Sequence, residues 1–161
     1  MEMAKNKNND VTDILQLVGF KMGNEEFGID ILNVKEINRM VNITKLPNSP
    51  VFVEGIINLR GKVIPVVDLR TKLGMPKKEA DKDTRIVVVD IDGRTVGFLV
   101  DAVSEVLRIP GNITEAPPEI TTGVNSEYIT AVAKLEDRLL TLLDLNKVLM
   151  KEEKRVLETV N

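Results

Sequence analysis

An internal repeat constrains the fold of this chain more than any other feature of its sequence. Moved forward by 76 positions, residues 55–69 (GIINLRGKVIPVVDL) align without a gap on residues 131–145 (AVAKLEDRLLTLLDL). The identical residues are Leu59/Leu135, Asp68/Asp144 and Leu69/Leu145. The apolar positions are kept, but Arg60-Gly61 at the predicted turn becomes Glu136-Asp137. The sequence therefore predicts two similar scaffolds whose tips differ.

A second correspondence, at an offset of 69, places residues 27–37 (FGIDILNVKEI) on residues 96–106 (VGFLVDAVSEV). The matched pairs include Gly28/Gly97, Val34/Val103 and Glu36/Glu105. The two offsets differ by seven (76 − 69), which predicts an insertion in the second copy, and we place it in residues 115–127. Each copy has only about 70 residues, a size at which one hydrophobic core is marginal. We therefore expect the two copies to share apolar surface.

The apolar residues follow the pattern of short β-strands. ILQLVGFKM (14–22) is followed by EEFGI, and RIVVVDI (85–91) is joined to TVGFLV across Asp92-Gly93, a favourable turn pair. Short strands with closely spaced turns are typical of small barrels. Pro65 has no backbone N–H, so it predicts that its strand lies at an edge or carries a bulge.

Three segments lie outside this pattern. Residues 1–12 are polar and rich in Lys and Asn, and we expect them to form a flexible tail. Residues 74–84 (GMPKKEADKDT) are charged and have almost no apolar content, which predicts a connector between the halves. In residues 145–161 the apolar positions recur near helical spacing, which predicts a C-terminal helix packed on one half.

Composition argues against enzymatic chemistry. The chain has no Cys and no His, so it has neither thiolate metal sites nor the Ser-His-Asp and Cys-His arrangements. Its Asp pairs show no calcium-loop pattern, and we expect no catalysis, no metal and no cofactor.

The charge and hydropathy of the chain argue against two classes of partner, nucleic acids and membranes. A net charge of −3, with one Tyr and no Trp, argues against nucleic-acid binding. The N-terminus lacks the apolar core of a signal peptide, and no apolar run approaches the roughly 20 residues of a membrane span. We therefore expect a cytoplasmic protein without direct membrane insertion.

Arg60, at the tip of the predicted hairpin, has two interpretations. A turn tip tolerates most long polar side chains, so the arginine is on one interpretation a solvated turn residue. On the other, its planar guanidinium anchors a partner's carboxylate through two hydrogen bonds. Glu36 is likewise an exposed surface charge, or else a partner contact or a brace for Arg60. Gly28 and Gly55 mark bulges or tight bends, or places where another backbone approaches closely.

Four segments, in order, carry a resemblance to a known family: EEFGIDILNVKEI, LPNSPVFVEGIINLRGKVIPVVDLR, TVGFLVDAVSEVL and SEYITAVAKLEDRLLTLLDLNKVL. Through them, residues 13–150 resemble the CheW family of chemotaxis coupling proteins. The resemblance implies a mainly β fold of two intertwined five-stranded β-barrels sharing an apolar core, with a C-terminal helix. It also implies a non-catalytic adaptor, recruited to membrane receptor arrays. Such adaptors join the cytoplasmic tips of methyl-accepting chemotaxis receptors to the CheW-like regulatory domain of the histidine kinase CheA.

The resemblance also implies roles for individual residues. Val34, Glu36 and Arg60 match positions with which the family couples receptor and kinase. The positions that match the receptor groove between the barrels are Gly55, Asn58, Val96, Gly97 and Val100. Glu54 departs from the pattern, because relatives can carry Lys there, and this changes the charge beside the groove.

Two alternatives stay open at this point. The same fold forms the regulatory end of CheA, but the catalytic and phosphotransfer domains of that kinase are not in this sequence, so we do not expect an autonomous kinase. The second alternative is a CheW-like scaffold of a non-flagellar chemosensory pathway.

Overall fold

The computed structural model describes residues 13–117, 128–149 and Glu153. The strands of these residues are β1 (Ile14–Met22), β2 (Glu25–Asp30), β3 (Val34–Arg39), β4 (Val53–Leu59), β5 (Lys62–Asp68), β6 (Arg85–Ile91), β7 (Arg94–Val100), β8 (Ala102–Pro110), β9 (Thr114–Glu115), β10 (Ile129–Lys134) and β11 (Leu139–Leu143). Two short helices are named here α1 (Leu69–Lys72) and α2 (Leu145–Val148).

The strands form two sheets with the same internal order. Sheet A has the order β8-β1-β2-β11-β10-β9, and sheet B has the order β3-β6-β7-β5-β4. In each sheet the two edge strands follow one another in the chain, so the chain itself closes the sheet into a barrel; we call these barrel A and barrel B. The predicted mainly β fold with two barrels is therefore confirmed. Barrel A has β9 as a sixth, two-residue strand, and the matching element of barrel B is a single bridge between Thr44 and Ile56.

The repeat explains why the barrels are intertwined. The first copy supplies β1 to β5 and the second supplies β6 to β11. The β1–β2 hairpin, however, pairs with β8 and β11 of the second copy, and the β6–β7 hairpin pairs with β3 and β5 of the first. The matched glycines occupy the same register, since Gly28 pairs with Leu142 and Gly97 pairs with Val66. Each barrel is therefore completed by a hairpin exchanged from the other copy.

A further match limits the position of the insertion. Asn42-Ile43-Thr44 recurs as Asn112-Ile113-Thr114, and Pro47 recurs as Pro117, at an offset of 70. Six of the seven extra residues (76 − 70) must then follow Pro117. The predicted insertion in residues 115–127 agrees with this limit, although residues 118–127 lie outside the described part of the chain.

Buried apolar residues form one core between the sheets and a smaller core inside each barrel. The shared core includes Phe20 and Phe27 of sheet A, whose rings stack with centroids 5.8 Å apart, and Val67 and Phe98 of sheet B. A separate cluster around Leu140 fills barrel A, and another around Ile64 fills barrel B. The expectation that the two copies share apolar surface is confirmed, because the shared core draws side chains from both sheets.

Pro65 corrects one half of a prediction, because the edge is wrong, whereas the β4–β5 ladder does have a bulge, in β4 opposite Val66 and Val67. Its strand β5 is not an edge, because it lies between β7 and β4. The two-residue turn makes Leu59 and Lys62 a hydrogen-bonded pair, so the pair of Ile56 with Pro65 is a non-hydrogen-bonded one. The ring nitrogen of Pro65 therefore faces β7, whose ladder with β5 begins one residue later, at Val66. The missing donor is tolerated because no ladder bond is needed at that position.

The remaining predicted segments are described only in part. Residues 74–84 contain no helix or strand and join β5 to β6 within sheet B. At the C-terminal end, Leu145 and Val148 of α2 lie in the shared core, and Glu153 forms an ion pair of 2.6 Å with Lys72. The predicted tail at residues 1–12 and the rest of the predicted helix lie outside the described residues. No helix among the described residues is long and apolar enough to cross a membrane.

Candidate protein-docking site

The β4–β5 turn holds Arg60 in a backbone conformation that is uncommon for a residue with a side chain. Arg60 and Gly61 have φ angles of 52° and 85°, as the two-residue type I′ turn requires. The Asn58 side chain stabilises the turn, because its Oδ1 accepts a hydrogen bond of 2.8 Å from the Gly61 backbone N–H. The Arg60 side chain is 73% exposed. The hairpin thus presents a long cation to solvent at its tip.

The Arg60 side chain lies against Glu36 of β3. Its Nη1 donates to Glu36 Oε1 at 3.2 Å, and its Nη2 donates to Glu36 Oε2. The hydrogen bonds from Arg60 lower the pKa of Glu36, and the same contact raises the pKa of Arg60. Because β3 and β4 are the two edges of sheet B, this bidentate pair joins the edges at the end of the barrel. The interpretation that Glu36 contacts and braces Arg60 is confirmed.

The tip of barrel A has the opposite character. The residues that correspond to Arg60-Gly61 are Glu136-Asp137. Arg138 beside them donates from Nε to Oε1 of Glu26 on β2 at 2.5 Å and from Nη1 to Asp137 Oδ1 at 2.9 Å. The hydrogen bond with Glu26 raises the pKa of Arg138. Glu105, the counterpart of Glu36, has no arginine at the corresponding tip position. One barrel therefore ends in a braced arginine and the other in an acidic turn.

Both barrels expose apolar side chains at equivalent positions of the repeat. Ile37 and Val63 of barrel B are 38% and 43% exposed. Their counterparts at offsets of 69 and 76 are Val106 and Leu139 of barrel A, which are 54% and 62% exposed. Exposed aliphatic groups of this kind are typical of protein-interaction surfaces when they recur together.

The structure places most of the predicted groove residues in the interior. Val96 and Val100 are 1% and 2% exposed and belong to the shared core. Gly97 is also buried, and a Cβ there would lie 2.8 Å from Ile86 Cγ2. Because these three positions offer a partner almost no surface, we correct them from groove-lining to core-packing positions. Val34 is half-buried and packs against the shared core, whereas Asn58 is exposed.

Gly55 is buried for a different reason. It lies in a β-bulge after Val53, and its φ angle of 153° is one that residues with side chains rarely adopt. The backbone of Ile43-Thr44 crosses it and exchanges two hydrogen bonds of 2.9 Å with Ile56. A Cβ at Gly55 would overlap the Thr44 carbonyl oxygen and lie 2.7 Å from Ile43 Cγ2. Both interpretations of this glycine, a bulge and a close backbone approach, are confirmed.

Glu54 lies in the same bulge. Its carboxylate forms an ion pair of 3.1 Å with Lys77 of the 74–84 segment. The charge at position 54 is therefore partly neutralised by the chain itself.

Sequence reasoning missed an apolar surface at the boundary between the barrels. Leu32 lies in a 3-10 turn, Ile31–Asn33, that leads from sheet A to sheet B, and its side chain is 87% exposed. Ile14 is 48% exposed, and together with Leu15, Ile31 and Leu32 it lines a cleft of about 230 Å³. The repeat could have indicated that Leu32 is exposed, because its counterpart at an offset of 69 is the charged Asp101.

Comparisons with known proteins agree with this architecture. The family model described as the CheW-like domain matches residues 16–153. The chain is 38% identical over 141 residues to the chemotaxis protein CheW of Klebsiella aerogenes, an alignment that covers 88% of this chain and 85% of that protein. It is 37% identical over 149 residues to the chemotaxis protein CheW of Helicobacter pylori, covering 92% and 90% of the two chains.

A solved structure of a similar protein has the same fold. The crystal structure of the scaffolding protein TtCheW from Thermoanaerobacter tengcongensis matches with a TM-score of 0.78 and 42% identity. The match covers 83% of this chain and 91% of that chain. With two repeat-related barrels, a shared core and relatives that align over most of their length, this chain belongs to the CheW-like family of chemotaxis scaffold proteins.

Proposed function

We propose that this protein is a non-catalytic adaptor that couples methyl-accepting chemotaxis receptors to the histidine kinase CheA in the cytoplasm. The observation that carries the proposal is the presence of two unlike exposed surfaces, the braced Arg60 at the tip of barrel B and the cleft beside Leu32. An adaptor must hold different partners at once, which requires unlike surfaces on one body. The fold supplies two such surfaces from one repeated scaffold.

The kinase is proposed to dock on the tip of barrel B. Glu36 holds the Arg60 guanidinium in one plane, so little side-chain freedom is lost when a partner's carboxylate approaches. Arginine is enriched among residues that dominate binding energy, and the exposed Ile37 and Val63 of the same barrel add apolar contact area. The proposed partner is the CheW-like regulatory domain of CheA.

The receptor is proposed to dock at the boundary between the barrels. A receptor tip is a helical hairpin, and a helix binds a protein surface by laying apolar side chains into an apolar groove. The cleft exposes Ile14 and Leu32, with the polar Gln16 and Asp30 in its lining, and is open to such a helix. Val34 keeps its proposed role in coupling receptor and kinase, and Asn58 keeps its proposed role in receptor binding. The adaptor would be recruited to receptor arrays through its contact with the receptor.

Two substitutions separate these contacts. Arg60→Glu should weaken binding of the CheA regulatory domain more than about thirtyfold, the lower end of the effect of losing one partner of a desolvated charge pair. Leu32→Asp should instead weaken binding of a receptor-tip fragment. Both side chains are largely exposed, so the thermal midpoint should change little.

Arg138→Glu is the control at the other tip, and because it also breaks the ion pair with the nearly buried Glu26, its thermal midpoint is measured before its binding. Binding is measured by calorimetry with each purified partner, and receptor-dependent kinase activity is measured in the reconstituted mixture. If Arg60→Glu binds and couples normally while Arg138→Glu does not, the assignment of the kinase face to barrel B is wrong. If neither Arg60→Glu nor Leu32→Asp affects either partner, the adaptor function proposed for these surfaces is wrong.

A further inference from the structure

Between described strands, the chain passes from one sheet to the other at two places that are equivalent in the repeat. Ile31–Asn33 leads from β2 in sheet A to β3 in sheet B, and Asp101 leads from β7 in sheet B to β8 in sheet A. Asp101 is the counterpart of Leu32 at the offset of 69. The environments of the two crossovers are nevertheless opposite.

The Asp101 crossover is held by groups from both barrels. Arg70 of α1, which follows β5 of sheet B, donates from Nε to Asp101 Oδ1 at 2.8 Å and from Nη2 to Oδ2 at 2.6 Å. The backbone N–H of Gly23, in the β1–β2 turn of sheet A, donates to the same Oδ2 at 2.7 Å. The Asp101 backbone N–H donates to the Lys21 carbonyl oxygen at 3.1 Å. We call Arg70, Asp101 and Gly23 the crossover clamp.

The clamp is largely shielded from water. The side chains of Arg70 and Asp101 are 14% and 15% exposed. Burial disfavours the ionised carboxylate of Asp101, but the hydrogen bonds from Arg70 and Gly23 outweigh it, so its pKa is lowered. A bidentate pair between charged groups fixes both distance and plane, and removing one partner strands the other charge in the interior. The clamp is therefore a directional link between the barrels.

The Leu32 crossover is held only by local hydrogen bonds among those found in the described residues. Asp30 Oδ1 accepts a bond of 2.9 Å from the Leu32 N–H, and the Val34 N–H donates to the Ile31 carbonyl oxygen. These bonds shape the 3-10 turn without reaching the other barrel. With Leu32 87% exposed, this crossover has no counterpart of the clamp.

We propose that the crossover clamp is the pivot between the two barrels and that the crossover at Leu32 is the side at which they move relative to each other. The shared core opposes separation, but apolar contacts are non-directional and permit packed elements to slide by small amounts. The clamp holds the two barrels together at the Asp101 crossover, whereas the Leu32 crossover has only local hydrogen bonds among those found in the described residues. Sliding of one barrel against the other therefore becomes a rotation about Asp101. This inference does not depend on which protein binds in the cleft.

The chain has no cysteine, so the orientation of the barrels can be measured with spin labels at two introduced cysteines. Exposed positions are Arg108 on β8 of barrel A and Lys62 on β5 of barrel B. Double electron–electron resonance then gives the distribution of the distance between the labels in the full chain. Arg70→Gln combined with Asp101→Asn removes both charges of the clamp together, and Asp30→Asn is the control at the other crossover.

The clamp variant should broaden the distance distribution at least about twofold, whereas Asp30→Asn should leave its width unchanged. Should the double variant fail to fold, Asp101→Asn alone, which keeps an acceptor for Gly23, is judged by the same criterion. A clamp variant with a lower thermal midpoint but an unchanged distribution would show that the clamp only adds stability and would overturn the proposal. Equal broadening by Asp30→Asn would overturn it as well, because no single pivot would then exist.

Discussion

Gly55→Ala should destabilise the protein strongly although it adds only one methyl group. The strained φ angle accounts for about 1–3 kcal/mol in a residue with a side chain. The added Cβ also overlaps the Thr44 carbonyl, so the Thr44 backbone must move away and give up its two hydrogen bonds with Ile56. Each such bond contributes about 0.5–1.5 kcal/mol. The sum predicts a loss of about 2–6 kcal/mol in the free energy of unfolding.

Gly61→Ala separates the two contributions. Gly61 also has a positive φ angle, 85°, but a Cβ there would meet no atom within 4 Å. Its substitution should therefore show only the conformational part, about 1–3 kcal/mol. Ala131 occupies the position equivalent to Gly55 in a bulge with the same register, but without a positive φ angle, so the register of the bulge does not by itself require glycine.

Urea unfolding of both variants, followed by circular dichroism at 25 °C, gives the difference in unfolding free energy directly. Hydrogen exchange at the Thr44 and Ile56 amides reports whether the bridge between them has opened. If Gly55→Ala is no more destabilising than Gly61→Ala, the close approach of Thr44 is not the reason for this glycine. If Gly55→Ala is the more destabilising variant, Gly55 is needed for the stability of the fold. A loss of binding in a Gly55 variant would then have to be measured on protein shown to be folded.

Two further predictions concern the fold and its charges. Residues 1–78 expressed alone should show no cooperative unfolding, because they lack β6 and β7, which lie between β3 and β5; dispersed amide signals from this fragment would contradict the exchanged architecture. The hydrogen bond from Lys78 is the largest cause that lowers the pKa of Asp81 from 3.8 to about 2, and carboxyl NMR should find that Lys78→Met raises it. Since the folded-state pKa lies below the unfolded one, the ionised Asp81 stabilises the fold above the unfolded pKa, and this contribution is lost as the pH falls through about 2. An unchanged Asp81 titration in Lys78→Met would show that the Asp83 backbone N–H and the Thr84 hydroxyl set the shift instead.

The strands and their repeat could be predicted from the sequence because both depend on local patterns. The predicted bounds 14–22 and 85–91 are those of β1 and β6, since turn residues delimit each apolar run. The shared core could be predicted from the length of the copies, because about 70 residues are marginal for a hydrophobic core of their own. Strand exchange between the copies was implied by the family resemblance and not by the strand pattern, because the period of a single strand carries no information on which strand pairs with which.

The candidate site was less predictable for a related reason. Val96 and Val100 match family positions, but matching positions carry no information on whether a side chain faces the core or solvent. Leu32 lies in a turn, where no apolar period marks it, and the only sequence signal for it was that the repeat places the charged Asp101 at the equivalent position. Pro65 was misassigned because a missing donor excludes one ladder bond, not one strand position.

The exchange of hairpins has a consequence for the way the chain leaves the ribosome. Barrel B consists of residues 34–100, so its strands are all available once that stretch has emerged. The β1–β2 hairpin is made first, yet its partner β11 is complete only at Leu143, which is 113 residues (143 − 30) after Asp30. At a synthesis rate of about 5–20 residues per second, that interval lasts roughly 6 to 23 seconds. During it Phe20 and Phe27 have no finished sheet to join, and an isolated hairpin is marginally stable at best. β1 can pair with β8 once Pro110 has emerged, but sheet A stays incomplete until β11 is made. The first hairpin of the nascent chain therefore waits longest for its complete sheet, and it is the part that a ribosome-bound chaperone has most reason to cover.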